Sequence, residues 1–144
     1  MINKKISKIL VPLDGSKNSI RALEMAISIA KQFEATITGA YSINIQPHSE
    51  FQGIVSANKE WKQEAKKILS EAKKLSIQNN IDFREKIMQG NIGYNLVKLA
   101  QDKKENFSII IMGSRGRSAV KELFLGSISN HIIHTSKIPV LIVK

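Results

Sequence analysis

A glycine-rich segment that follows a strongly apolar run is the part of the sequence best suited to chemistry. Gly113 and Gly116 are separated by two residues, and nine further residues lead to Gly126 and Ser127. The run before them, residues 109–112, is Ile-Ile-Ile-Met, which is typical of a buried strand. Glycines at a strand end let backbone N–H groups approach an anion closely, and a following helix N-terminus adds a favourable dipole. The pattern therefore predicts a phosphate-binding loop.

The spacing of these glycines differs from two common phosphate-binding motifs. A P-loop has Gly, four residues and then Gly-Lys-Ser or Gly-Lys-Thr, and a dinucleotide fingerprint has Gly-x-Gly-x-x-Gly. Two of the four arginines in the chain, Arg115 and Arg117, lie inside the segment beside Ser114, and a guanidinium suits the recognition of phosphate. Ser127 could donate a hydroxyl hydrogen bond to a phosphate, with Ser129 assisting it. Taken singly, the same glycines could be turn residues and the same serines could cap a helix.

Asp14 is a second residue that could contact a ligand. It follows an apolar, β-branched strand predicted over residues 6–13, and Gly15 and Ser16 come directly after it. A carboxylate at a strand end can accept hydrogen bonds from a ribose hydroxyl or an adenine amino group. Asp14, Ser16 or Asn18 could equally cap the helix that follows. Asp14 alone leaves both interpretations open.

Predicted strands and helices alternate along the chain, and their order determines where these two loops lie relative to the predicted sheet. The strands cover residues 6–13, 35–43, 81–88, 107–112 and 139–143, and the helices lie around residues 22–30, 56–79, 96–100 and 128–133. This alternation implies right-handed crossovers and an α/β fold with a parallel sheet covered on both faces. Ligands of such sheets bind at the carboxyl ends of strands, where the strand order reverses. If strands one and four are neighbours, the two loops face one pocket.

Two further segments could border that pocket. The loop after the second strand contains Pro47, His48 and Gly53, and its length suits either a functional lid or a simply mobile connection. The long helix predicted over residues 56–79 repeats apolar residues at alternating spacings of four and three, beginning with Trp61. Because Trp61 begins this stripe, we expect its indole to anchor the core rather than to stack on a ligand.

Length and composition exclude several classes of protein. The chain has 144 residues, 42% of them hydrophobic, and we expect one domain over residues 1–144. Without cysteine it has no disulfide scaffold, no thiol nucleophile and no cysteine-ligated metal. Its apolar runs are only a few residues long, so we expect no membrane span and a cytoplasmic location.

The net charge of +10 raises the question of an acidic partner such as nucleic acid. Eighteen of the 22 basic residues are lysines, and they are mixed with glutamates along the helical segments. This distribution favours a solvated surface over a nucleic-acid footprint. We therefore do not expect nucleic acid as a partner.

Together these features resemble the universal stress protein family. The likeness rests on the spacing Gly, two residues, Gly, nine residues, Gly-Ser, on the opening run from Ile9 to Ser16, and on the closing run from Pro139 to Val143. It covers essentially the whole chain. The resemblance implies a five-stranded parallel sheet in the order 3-2-1-4-5. It also implies ATP binding, because the chain keeps the full glycine motif of the ATP-binding subgroup.

The resemblance also assigns residues to the parts of the nucleotide. Pro12 and Asp14 would line the adenosine end, and Ser42 would lie near the adenine. Met112 and Gly113 would border the ribose. The residues implied around the phosphates are Gly116, Arg117, Gly126, Ser127 and Ile128, with Ser114 and Arg115 completing the binding loop.

The sequence departs from the family pattern at two places. At the end of strand two the family usually has a hydrophobic residue, His and Val, whereas this chain has Ala40, Tyr41 and Ser42. This change alters the wall expected around adenine. Phe107 and Ser108 replace the usual Asp before strand four, and we expect this second change to affect strand packing more than chemistry.

The family resemblance implies a homodimer in which the last strands of two subunits pair. The run from Pro139 to Val143 is apolar, and an uncovered edge strand of this kind would otherwise invite aggregation. Alternatively, Lys144 and a neighbouring helix protect this edge of the sheet.

The sequence contains no recognisable set of catalytic residues. His131 and His134 are three residues apart, but no carboxylate or cysteine beside them completes a metal site, so we expect surface or interface positions. The leading interpretation is an ATP-binding regulatory module with at most slow hydrolysis. A slow ATPase would depend on Arg115, Arg117 and Lys121, with Mg²⁺ or Mn²⁺ on the phosphates. The third interpretation is a nucleotide-independent interaction protein that docks on acidic partners.

Overall fold

The computed structural model describes residues 5–44, 53–116 and 125–144. Strands and helices alternate through these ranges. In chain order they are β1 (Lys8–Pro12), α1 (Lys17–Phe33), β2 (Thr36–Ile43), α2 (Gly53–Gln78), β3 (Phe83–Gln89), α3 (Ile92–Ala100), β4 (Ile109–Gly113), α4 (Ser127–Thr135) and β5 (Val140–Val143). None of the helices in these ranges combines the length and the apolar character that a membrane span requires. A single domain over residues 1–144 stays a prediction.

The five strands form one parallel sheet in the order β3-β2-β1-β4-β5, which confirms the expected α/β fold and strand order. β1 lies at the centre, with Ile9 in register with Ile37 of β2 on one side and with Ile109 of β4 on the other. The chain runs outward from β1 to β3 and then returns to place β4 on the other side of β1. The carboxyl ends of β1 and β4 therefore lie side by side at the switch point of the sheet.

Both faces of the sheet carry helices, so the central strands are apolar at consecutive positions. Ile9 lies in the core layer that contains Leu69 of α2. Leu10, the next residue of β1, lies in the opposite layer with Leu96 of α3 and Ile132 of α4. All five side chains are buried. This two-sided burial holds β1 rigidly beneath the loop that contains Asp14.

Polar groups determine where several elements begin and end. α1 begins after Ser16, whose Oγ accepts a hydrogen bond from the N–H of Ser19 at 3.2 Å. Of the three candidate caps, Ser16 is therefore the one that caps α1. β3 begins at Phe83, two residues later than predicted, because the N–H of Ile81 donates to the carbonyl of Ser76 at 2.9 Å and completes the turn after α2.

The amino-terminal ends of β1 and β4 are joined by polar contacts. Oγ of Ser108 accepts hydrogen bonds from the N–H groups of Ser7 at 3.0 Å and Lys8 at 3.3 Å. Nζ of Lys8 forms a salt bridge with Oε2 of Glu105 at 2.5 Å and lies 4.9 Å from the ring centre of Phe107. The hydrogen bond from Lys8 lowers the pKa of the Glu105 carboxyl. Phe107 and Ser108 thus take part in packing β4 against β1, at the edge opposite the carboxyl ends.

Candidate functional site

A cavity of about 670 Å³ opens at the carboxyl ends of β1, β2 and β4. Ligands bind at this edge in open α/β sheets, and the volume lies in the range of small-molecule sites. The sequence-predicted site residues that line it are Pro12, Asp14, Ser42, Met112, Gly113, Arg115, Gly116, Gly126, Ser127 and Ile128. The topology therefore brings the loop after β1 and the loop after β4 to one cavity.

Asp14 lies where these two loops meet. Its Oδ1 accepts a hydrogen bond from the N–H of Ser16 at 2.8 Å, which ties the carboxylate to the start of α1. A Cβ built on Gly116 would come within 2.6 Å of Oδ2 of the same carboxylate. Glycine at position 116 thus lets the second loop pass directly over Asp14. The carboxylate supports the cap of α1 and also forms part of the cavity wall.

Gly113 brings the end of β4 against α1. A Cβ on Gly113 would lie 2.9 Å from the carbonyl carbon of Asn18 and 3.0 Å from its oxygen. Both atoms belong to the backbone of the first turn of α1, so a side chain at this position would push the helix away from the strand. The absence of a Cβ therefore keeps the two loops close together.

Gly126 has a different role, because a Cβ there would meet only ordinary contacts, the nearest at 3.5 Å. Gly126 is the N-cap residue of α4, and as a glycine it has no side chain that could accept a hydrogen bond from the helix. The first N–H groups of a helix have no intrahelical partners and carry partial positive charge. Ser127 and Ile128 of this first turn line the cavity. This end of the cavity is suited to an anion.

Ser114 and Ser129 hold the glycine loop together from inside. Ser114 is buried and is absent from the cavity wall, unlike the other described residues predicted for the site. Its carbonyl accepts hydrogen bonds from the N–H of Gly126 and from Oγ of Ser129, both at 2.7 Å. The N–H of Ser114 donates to the carbonyl of Val143 at 2.9 Å, which links the loop to β5. The hydroxyl of Ser129 thus fastens the loop. Ser129 also lines the cavity, and its contact with phosphate stays a prediction.

Arg117, also predicted for the site, lies outside the described residues. So do Lys121 and most of the predicted lid, including Pro47 and His48. Gly53, expected in that loop, is instead the first residue of α2.

The opposite end of the cavity is built from β2, α2 and α3. Oγ of Ser42 accepts a hydrogen bond from Nδ2 of Asn95 at 3.2 Å, and the same amide donates to the carbonyl of Gln89 at 2.9 Å. Tyr41 and Asn44 also line this part of the cavity. Tyr41, Ser42 and Asn44 thus give this end of the cavity polar groups, and Asn95 of α3 orients the hydroxyl of Ser42.

Trp61 does not anchor the core, so the expectation for this residue was wrong. Its side chain is 37% exposed and lines the cavity, whereas Ala65 and Leu69 of the same stripe are fully buried. α2 has 26 residues and is about 39 Å long, while the eight residues of β2 span about 26 Å. α2 is therefore longer than the strand, and Trp61 in its amino-terminal half lies beside the cavity at the carboxyl ends of the strands. Glu64, one turn after Trp61, reaches the same cavity.

Histidines take no part in the described wall of the cavity. His131 and His134 are exposed on α4, and the ring of His131 packs against Gly93 of α3. Within the described ranges, no three His, Asp or Glu residues are grouped closely enough to hold a metal ion.

Comparison with known families gives a match over residues 5–144 to the universal stress protein family. The chain belongs to this family. Universal stress protein YxiE of Bacillus subtilis is 33% identical over an alignment of 148 positions including gaps, which covers 96% of this chain and 99% of that protein.

Two solved structures are close to this universal stress protein fold. The structure of MJ0577 from Methanocaldococcus jannaschii has a TM-score of 0.90 at 28% identity, covering 98% of this chain and 97% of that one. A universal stress protein solved in complex with cAMP has a TM-score of 0.72 at 26% identity, covering 97% of this chain and 98% of that one. These likenesses agree with the universal stress protein architecture described above.

Proposed function

We propose that this universal stress protein binds ATP in the cavity at the carboxyl ends of β1 and β4, and that it acts as a nucleotide-dependent regulatory module. The observation that carries the proposal is the meeting of two loops, with Gly116 packed over the Asp14 carboxylate beside the N-terminus of α4, whose cap residue Gly126 makes no side-chain hydrogen bond. One wall thus combines a hydrogen-bond acceptor for ribose with N–H donors for phosphate. The relative bound to cAMP supports an adenine nucleotide as the class of ligand.

Each part of the nucleotide has suitable partners on the described wall. Pro12 and Asp14 would hold the adenosine, with the carboxylate accepting a hydrogen bond from a ribose hydroxyl. Ser42 would lie near the adenine, and Met112 and Gly113 beside the ribose. The described residues proposed around the phosphates are Arg115, Gly116, Gly126, Ser127 and Ile128. Arg117, outside the described residues, is proposed with them from the sequence.

A Mg²⁺ or Mn²⁺ ion would reach this site with the nucleotide. Its ligands would come mainly from the phosphate oxygens, because the described residues contain no group of three carboxylates or histidines. Bound in this way, the cation would neutralise part of the phosphate charge.

The described wall favours binding over turnover. It contains no histidine or lysine. Of its two carboxylates, Glu64 lies on α2 at the end away from the glycine loop, and Asp14 already accepts a hydrogen bond from the N–H of Ser16. A general base must be aligned with the water that it activates, and Asp14 is instead held against the start of α1. We therefore propose slow hydrolysis at most. A cytoplasmic location stays a prediction.

The test of nucleotide binding is isothermal titration of the purified protein with ATP and ADP. We expect saturable binding by the wild-type protein and a weaker affinity in an Asp14→Ala variant. If the folded wild-type protein binds neither nucleotide at millimolar concentration, the proposal is wrong. ATP turnover that survives extensive purification and is lost in Asp14→Ala would favour the slow ATPase instead.

We also propose a homodimer paired along β5. This strand is the last in the sheet and pairs with β4 on one side only, and its four residues are half-buried. The carbonyls of Pro139 and Val143 face β4, so the two-residue period of a strand directs the backbone of Ile142 toward the open edge. Ile142→Pro should remove an N–H needed for pairing between subunits without removing a bond to β4. Sedimentation velocity should then show a dimer for the wild type and a monomer for the variant.

A further inference from the structure

The two ends of the cavity differ in the elements that build them. β2 and β4 lie on opposite sides of β1, so their carboxyl ends are about 10 Å apart at the usual strand spacing. The glycine loop with Arg115 and the N-terminus of α4 form the end beside β4. Trp61 and Glu64 of α2 form part of the end beside β2. A nucleotide whose phosphates lie at the first end presents its base to α2.

Trp61 has the exposure and position of a binding surface. Of the described large apolar side chains that are exposed, Trp61 is the one that lines the cavity. Its 37% exposure leaves indole surface that a flat ligand could cover. Aromatic rings are favoured partners for bases, because every base has a face that can stack.

Glu64 adds a charge that distinguishes the two ends. It follows Trp61 by three residues, which places both on one side of α2, and it also lines the cavity. A carboxylate there repels phosphate and tolerates an uncharged base. Arg115, at the end beside β4, has the opposite charge. The two charges therefore favour one orientation of a nucleotide over its reverse.

We propose that Trp61 is the surface on which the base of the nucleotide stacks, and that Glu64 keeps phosphate away from this end of the cavity. The inference rests on the nucleotide binding proposed above and specifies it further. The ligand is held through its base as well as its phosphates, so a free polyphosphate is a poor substitute.

The first test uses the intrinsic fluorescence of Trp61, which is the only tryptophan in the chain. ATP and adenosine should both quench its emission, since both carry the base. Inorganic tripolyphosphate should leave the emission unchanged. Equal quenching by tripolyphosphate, or calorimetric binding of ATP without quenching, would overturn the inference.

The second test measures affinities of variants by calorimetry. Trp61→Ala should weaken ATP binding by roughly tenfold to a hundredfold, the usual loss when an aromatic partner of a base is removed. Its affinity for tripolyphosphate should not change, and Trp61→Phe should recover most of the ATP affinity. Glu64→Gln should strengthen tripolyphosphate binding relative to ATP. Tyr94→Ala is the matched control, because Tyr94 is an aromatic residue of α3 that is 62% exposed and lies off the cavity wall.

The outcomes separate this inference from the proposed function. Equal ATP affinity in the wild type and in Trp61→Ala would overturn the role of Trp61 and leave ATP binding intact. No ATP binding by the folded wild-type protein would overturn both. If Trp61→Ala does not fold, the fluorescence of the wild type and the affinity of Trp61→Phe decide the question.

Discussion

The carboxylate of Asp14 occupies the space that any side chain at Gly116 would need, because a Cβ there would lie 2.6 Å from Oδ2. The carboxylate is restrained in turn, since its Oδ1 accepts a hydrogen bond from the N–H of Ser16. The loops after β1 and β4 are therefore fitted to each other. A change in one loop should act on ligand binding through the other.

Gly116→Ala should weaken ATP binding by about tenfold, the equivalent of one hydrogen bond, because the new methyl group displaces the Asp14 carboxylate. The measurement is calorimetry on Gly116→Ala, Asp14→Ala and the double variant. If the glycine acts through Asp14, the double variant should bind ATP no more weakly than Asp14→Ala alone. Fully additive losses would contradict the coupling between these two residues.

Gly113→Ala should lower the free energy of unfolding by about 1–3 kcal/mol, the usual cost of overpacking. The new Cβ would press on backbone atoms of Asn18, which cannot rotate away as a side chain can. Gly126→Ala is the matched control for folding, since its Cβ would meet no atom closer than 3.5 Å. Urea denaturation of both variants makes the comparison. Equal stability of the two would show that β4 and α1 do not need this close approach.

Ser129→Ala should lower the free energy of unfolding by about 1 kcal/mol, because it removes the buried hydrogen bond from Oγ of Ser129 to the carbonyl of Ser114. ATP binding should weaken as well, since this bond fastens the glycine loop to α4. Ser127→Ala is the comparison, because Ser127 is exposed at the cavity. It should weaken ATP binding with little change in the urea midpoint. If Ser127→Ala instead lowered the free energy of unfolding and Ser129→Ala weakened only ATP binding, the roles assigned to the two serines would be wrong.

Acid should weaken the contact between Lys8 and Glu105. The hydrogen bond from Lys8 lowers the pKa of the Glu105 carboxyl from its usual 4.5, so the folded protein binds this proton less readily than the unfolded chain. The resulting stabilisation is present above about pH 4.5 and is lost as the pH falls through the lowered pKa. We expect less than about 1 kcal/mol, because the pair is partly exposed.

The check is urea denaturation at neutral and acidic pH for the wild type and for Glu105→Gln. The variant should lose this part of the pH dependence. Glu34→Gln serves as control, since Glu34 and its partner Lys5 are both exposed and their charged groups are 3.8 Å apart. An identical acid response of the wild type and Glu105→Gln would contradict the effect assigned to Lys8.

The alternation of strands and helices could be predicted from the sequence, because apolar residues change from strand-like runs to helical spacing along the chain. Alternation does not determine which strands are neighbours. The order β3-β2-β1-β4-β5 was predicted through the family resemblance, and it is this order that brings Asp14 beside Gly116. The glycine spacing identified the loop after β4 from the sequence. The strand order shows that the loop with Asp14 is its neighbour.

Two residues show why the remainder could not be predicted. The apolar stripe of α2 includes Trp61, but the stripe contains no information about where the sheet beneath it ends. Ser114 acts through its backbone carbonyl and N–H, which almost every residue possesses, so its side chain gave no signal. Both roles depend on distances between elements that are remote in sequence.

The contacts of Ser108 and Glu105 with the start of β1 lie at the opposite edge of the sheet from the cavity. They join the starts of β1 and β4 through residues that are not on the cavity wall. A substitution that alters only the ligand contacts of the cavity therefore leaves these bonds between the two strands in place.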